Sequence, residues 1–152
     1  MAAAARGEDP VADFDFTRVK TFTVRPGTMK SKTAKVNGDR LEPLVRKHIA
    51  GRLAAAGLTE TGGKGDLVVN FTLIVSAERE RDRRANRRPS RLPLMRESIK
   101  GMLLIAIRSS KDGVLVWRKF PTFEEDDPRK FEERLPRHIA RTLGKFPPEK
   151  KE

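Results

Sequence analysis

Between Gly101 and Arg118 the chain reads GMLLIAIRSSKDGVLVWR, two apolar runs separated by Ser110, Lys111, Asp112 and Gly113. Asp-Gly between apolar runs is among the strongest short-range hairpin signals, because glycine accepts the positive φ that such turns demand. The segment predicts two antiparallel strands, and the rest of the fold has to be arranged around them.

Two further segments alternate with strand period. Val19 to Val24 is rich in β-branched residues and is closed by Pro26-Gly27. Asp66 to Ala77 places Leu67, Val69, Phe71, Leu73 and Val75 on one face. Asn70, Thr72 and Ser76 share the other face with Val68 and Ile74, which predicts a sheet with one covered and one wetter side.

Helical spacing occurs twice. Leu41, Leu44, Val45, Ile49 and Leu53 form one apolar face of a helix capped by Asp39 and running to about Ala56. Pro43 is read as lying in its first turn, and Gly57 as its left-handed stop. Asp127-Pro128 predicts the start of a second helix with Phe131, Leu135, Ile139, Leu143 and Phe146 on its face. Pro136 is expected to kink or split it, and Gly144 with Pro147-Pro148 to end it.

The order is strand, helix, three strands, helix. It predicts an α+β two-layer sandwich, a mostly antiparallel four-stranded sheet with both helices on one face. Residues 1–13 are expected to be a disordered lead-in, 14–148 a single domain, and 149–152 a charged tail.

Charge is the other strong constraint. Of 152 residues 36% are charged and the net charge is +12, which favours polyanionic partners. Between Glu78 and Glu97 periodicity stops in a predicted loop with eight arginines against four acids. Arg79, Arg81, Arg83, Arg84, Arg87, Arg88 and Arg91 are candidate anion-binding residues, because guanidinium groups grip phosphate bidentately. Lys30, Lys32 and Lys35 join them from a second predicted loop, 25–38, which holds no acid. The arginines have no aromatic residues between them, so the stacking platform of single-strand nucleic-acid binders is missing. The Glu-Arg-Glu-Arg-Asp-Arg run that opens the segment also fits the self-compensated solvation of a long hairpin arm.

Other chemistry has less support. Zero cysteine excludes disulfides, thiolate metal sites and cysteine nucleophiles. No apolar run approaches the length of a membrane span. His48 and His138 share a His-Ile-Ala-x-x-Leu setting, which admits a metal or acid–base pair at a helix seam. The plainer reading is one histidine at the edge of each apolar stripe. Glu124 to Asp127 reads as a solvated acidic loop and helix start rather than a cation site. Gly62-Gly63-Lys64-Gly65 precedes a strand, not a helix, so it is a turn and no phosphate loop. Trp117, the single tryptophan, is the expected core anchor. No catalytic or cofactor motif is present, and no cofactor is expected.

Taken together, four segments resemble a known family. They are Asp15-Phe16-Thr17-Arg18-Val19-Lys20-Thr21-Phe22, then Leu53 to Leu58 followed by Asp66 to Val69, then Gly101 to Arg118 with Val116-Trp117-Arg118, and finally Lys145-Phe146-Pro147-Pro148. Their order and spacing resemble the bacterial domain-of-unknown-function family 4136, a group dominated by envelope lipoproteins. The chain departs from it at Ile105-Ala106-Ile107, where members often carry an aspartate, and at Lys119, where they usually have glycine. The central loop is arginine-rich here instead of rich in Gly, Tyr and Trp. The resemblance implies no known reaction. It implies a cell-envelope location, in the periplasm or anchored to the outer membrane, although Met1 to Arg6 carry neither an export signal nor a lipid-accepting cysteine. The expected role is a non-enzymatic binding or structural module whose basic loops meet anionic lipid, lipopolysaccharide or an acidic protein. A cytosolic nucleic-acid-binding protein using the arginine-rich loop is the alternative.

Overall fold

A computed structural model describes residues 10–11, 14–81 and 95–147. In chain order its elements are a short 3-10 turn Phe16–Arg18, β1 (Thr21–Val24), β2 (Thr28–Ser31), α1 (Gly38–Ala55), β3 (Thr59–Glu60), β4 (Leu67–Arg81), β5 (Met95–Ser109), β6 (Leu115–Lys119), β7 (Thr122–Glu125) and α2 (Pro128–Leu143). The chain is α+β, as predicted, but the sheet has seven strands and is mixed, not four and antiparallel.

The path runs β3-β1-β4-β5-β6, with β2 also on β4 and β7 also on β5. β1 and β2 both lie parallel to β4, whereas β4–β5, β5–β6 and β5–β7 are antiparallel. The parallel pairs follow from α1, which carries the chain back across the sheet before β4 begins; a helical crossover returns a strand parallel. Reading sequential strands as antiparallel missed this consequence of the intervening helix.

The three unanticipated strands are short and weakly patterned. β2 falls inside the predicted basic loop, is mostly exposed, and exists because β4 offers it an edge. β7 takes Glu124 and Glu125 out of the predicted acidic loop, pairing them with Lys100 and Ile99. The predicted loop at 78–97 is likewise strand at both ends, since β4 and β5 stay paired to Arg81↔Met95.

The hairpin of β5 and β6 has its predicted turn. Gly113 sits at φ +73°, its N–H donating to the Ser109 carbonyl, and Asp112 accepts from the Val114 N–H. Gly57 ends α1 at φ +100°. Asn37, rather than Asp39, caps that helix, and Pro43 stands at its sixth residue, beyond the first turn. Asp127 caps α2 with Pro128 following, and α2 continues unbroken through Pro136. Leu135 and Ile139, both fully buried on either side of that proline, hold the helix by packing where the backbone bond is lost.

One core joins the layers. Leu67, Val69, Phe71, Leu73 and Val75 of β4 face inward beside Ile99, Leu103, Ile105 and Ile107 of β5. Leu41, Val45, Ile49 and Leu53 of α1 and Phe131, Leu135, Ile139 and Leu143 of α2 cover them. Trp117 is 7% exposed and meets Phe146 edge-on at 5.5 Å. On the opposite sheet face Asn70 is exposed, and Val68, Thr72, Ile74 and Ser76 are half-buried.

Candidate anion-binding surface

β4 and β5 are each 15 residues long, so each spans about 50 Å at 3.3–3.4 Å per residue. The other strands flank only part of that length. β2 leaves β4 at Val75, and β7 reaches no further along β5 than Ile99. Beyond those points the two long strands run on as a two-stranded arm to Arg81 and Met95.

The parallel course of β2 brings the lysines to the root of this arm. Lys30 is the register partner of Ile74, and the Lys32 N–H donates 2.8 Å to the Val75 carbonyl. Lys30, Lys32 and Lys35 are all exposed. The turn that carries them is tied down by Ser31, whose hydroxyl serves the carbonyls of Thr33 and Val36, and Val36 is buried in the core. The lysines therefore stand on a fixed backbone at the end of the sheet from which the arm leaves.

Arg79 and Arg81 lie in β4, on the arm. In backbone register Arg79 is the partner of Glu97 and Glu80 the partner of Arg96. Arg83, Arg84, Arg87, Arg88 and Arg91 lie outside the described residues.

Of the two histidines, His48 lies on α1 and His138 on α2. The His138 ring stacks on Phe123 at 4.3 Å, and its Nε2 lies 3.5 Å from Glu125 Oε1. Glu125, 9% exposed, accepts a 2.7 Å bond from Arg134 at its other oxygen. Among the described residues there is no cluster of three or more His, Cys, Asp or Glu side chains able to hold a metal ion. Sequence reading missed the Glu125–Arg134 pair because the acid was assigned to a loop. The strand period of Phe123 and Glu125 was the available signal. Among the described residues, no helix is long and apolar enough to cross a membrane.

Asp66 fixes the opposite end of the sheet. Its carboxylate accepts from the Lys20 and Thr21 N–H groups at 3.0 and 3.2 Å, and its own N–H donates to the Thr21 hydroxyl. Those backbone bonds, the Lys20 one first, hold the carboxyl below its ordinary pKa.

Comparison with known proteins places this geometry. The model of the family described as Domain of unknown function (DUF4136) matches residues 8–148. No curated protein matches the chain. A neuraminyllactose-binding hemagglutinin homolog from Helicobacter pylori superposes with a TM-score of 0.59 at 8% identity, over 86% of this chain and 87% of that one. The hypothetical protein CT253 from Chlamydia trachomatis gives 0.53 at 9% identity, over 84% and 97%. The PelC dodecamer from Paraburkholderia phytofirmans gives 0.51 at 12% identity, over 82% and 84%. At these identities the likeness is one of fold.

Proposed function

The chain belongs to the domain of unknown function family DUF4136, and from that premise we propose that it is a non-enzymatic binding or structural module of the bacterial cell envelope. Its basic end meets an anionic lipid surface. The observation that carries this reading is the pairing of β2 with β4, which gathers exposed Lys30, Lys32 and Lys35 at the root of the arm. A net charge of +12 supplies the long-range attraction.

Lipid is favoured over nucleic acid by the absence of aromatics among the basic residues and by the family's predominance of envelope lipoproteins. Co-sedimentation with phosphatidylglycerol vesicles tests the reading. Binding should weaken steeply as salt shortens the Debye length from ~10 Å at 0.1 M to ~3 Å at 1 M. The triple variant Lys30→Glu, Lys32→Glu, Lys35→Glu should lose most of it. Salt-indifferent binding, or a triple variant that binds as the parent does, overturns the assignment.

A further inference from the structure

A second concave feature lies away from the arm, between the flank of α1 and the end of the sheet formed by β1 and β3. It is an open groove of about 710 Å³, within the size range of small-molecule sites. Arg46 and Lys47 line it from the helix; Glu60 and Thr61 line it from the opposite wall.

Both walls are built to hold their shape. Glu42 accepts the Gly27 N–H at one oxygen (3.1 Å) and Arg46 Nη2 at the other (3.2 Å). Arg46 is therefore aimed by a carboxylate that is itself anchored to backbone, and it remains 40% exposed. A cation positioned in advance loses less freedom when an anion arrives. Across the groove, Thr23 Oγ1 accepts from the Gly65 N–H, contacts the Thr61 hydroxyl at 3.1 Å and bonds the Gly63 carbonyl. A Cβ at Gly65 would come within 2.6 Å of the Phe22 backbone, so glycine is what lets this turn press against β1. The turn that follows Gly62, itself a lining residue, is thus fitted against β1.

The helix side carries an unexplained concession. Gly51 lies inside α1, where glycine costs about 1 kcal/mol relative to alanine. A Cβ there would meet nothing within 4 Å. Packing does not demand this glycine, and the space it keeps open is the groove.

We propose that the groove binds a small oxyanion, a phosphate or carboxylate on a body that also carries a hydroxyl or amine. Arg46 and Lys47 hold the anion, and Glu60 on the far wall accepts from the donor end. A ligand with negative charge at both ends is disfavoured by Glu60.

The probe is O-phosphoethanolamine, titrated into the full chain and followed by amide chemical shifts. Shifts should concentrate at Gly51, Ala54, Thr61 and Gly62. Arg46→Gln should weaken binding about tenfold, the loss of one charge-assisted hydrogen bond. Lys47→Gln, an exposed change, should weaken it in the same direction should Arg46→Gln unfold the chain. Gly51→Leu should block binding while thermal unfolding shows an intact fold. Glu60→Gln should erase the preference for O-phosphoethanolamine over inorganic phosphate. A second arm uses phosphatidylethanolamine vesicles: groove shifts there that Gly51→Leu abolishes identify a lipid headgroup, and shifts only with the soluble probe identify a free metabolite. The Lys30, Lys32, Lys35 triple variant should leave both arms unchanged, which separates this site from the basic arm root. No groove shifts in either arm, or shifts that survive both Arg46→Gln and Gly51→Leu, overturn the proposal.

Discussion

Replacing Gly101 by alanine tests the packing of the two layers with a single methyl group. Gly101 lies in β5 opposite Phe123 and is buried. A Cβ built there falls 2.7 Å from two atoms of the Phe131 ring and 2.8 Å from Phe123. Neither ring has room to retreat. Phe131 is fully buried, and Phe123 stacks on Phe131 at 5.2 Å and on His138 at 4.3 Å, inclined to them by 28° and 16°. Overpacking of this kind costs ~1–3 kcal/mol. Removing a strand glycine returns ~0.5–1 kcal/mol of backbone entropy. The net expectation for Gly101→Ala is a loss of about 1–2 kcal/mol, or a Tm lower by about 3–6 °C for a chain this long. Urea unfolding with an unchanged m-value is the assay. Gly51→Ala is the internal control: the same substitution into open space inside α1 should stabilise by about 0.5–1 kcal/mol. If Gly101→Ala is as stable as the parent, the rings do not close over β5 as described, and the account of the layer contact fails.

Glu125→Gln should destabilise by about 1–2 kcal/mol, because it weakens the charge-assisted bond from Arg134 at a site only 9% exposed; chemical denaturation reads the difference. Trp117→Ala should cost about 3–5 kcal/mol and free the edge contact with Phe146. The Asp66 carboxyl, observed by NMR titration, should ionise below the ordinary aspartate value of 3.8, with the Lys20 and Thr21 N–H bonds as the cause. A depressed folded-state pKa adds stability above the unfolded value that is lost as pH falls through the folded one. Asp66→Asn should therefore flatten acid unfolding in that window, and a pH profile identical to the parent's would contradict the assigned role.

What could be read in advance was whatever rests on local pattern. The turn at Asp112-Gly113, the Asp127-Pro128 start of α2, the Gly57 stop and the alternating core of β4 each declare themselves within a few residues. What could not be read depends on partners distant in sequence. Thr28–Ser31 offers a single partly buried apolar residue, Met29, and it becomes a strand because β4 leaves an edge free there. Glu125 looked solvated until β7 turned it toward Arg134. The candidate sites divide the same way. Lys30, Lys32 and Lys35 were legible as charge, but their placement at the arm root was not. The Arg46 groove was invisible, because its lining is drawn from three separate stretches between Thr23 and Gly62, joined only by the fold.

The crossover through α1 also orders events in time. β2 finds its partner strand in residues from Thr72 onward, whereas β1 can pair with the two-residue β3 before it meets β4 at Leu67. A nascent chain that has emerged only through Asp66 can set β1 against β3 but holds β2 without its partner strand. The β4–β5 ladder and the β5–β6 hairpin, by contrast, can zip up as soon as they clear the ribosome. β2 thus waits for the middle of the polypeptide, and its place in the sheet is taken only once β4 is there to receive it.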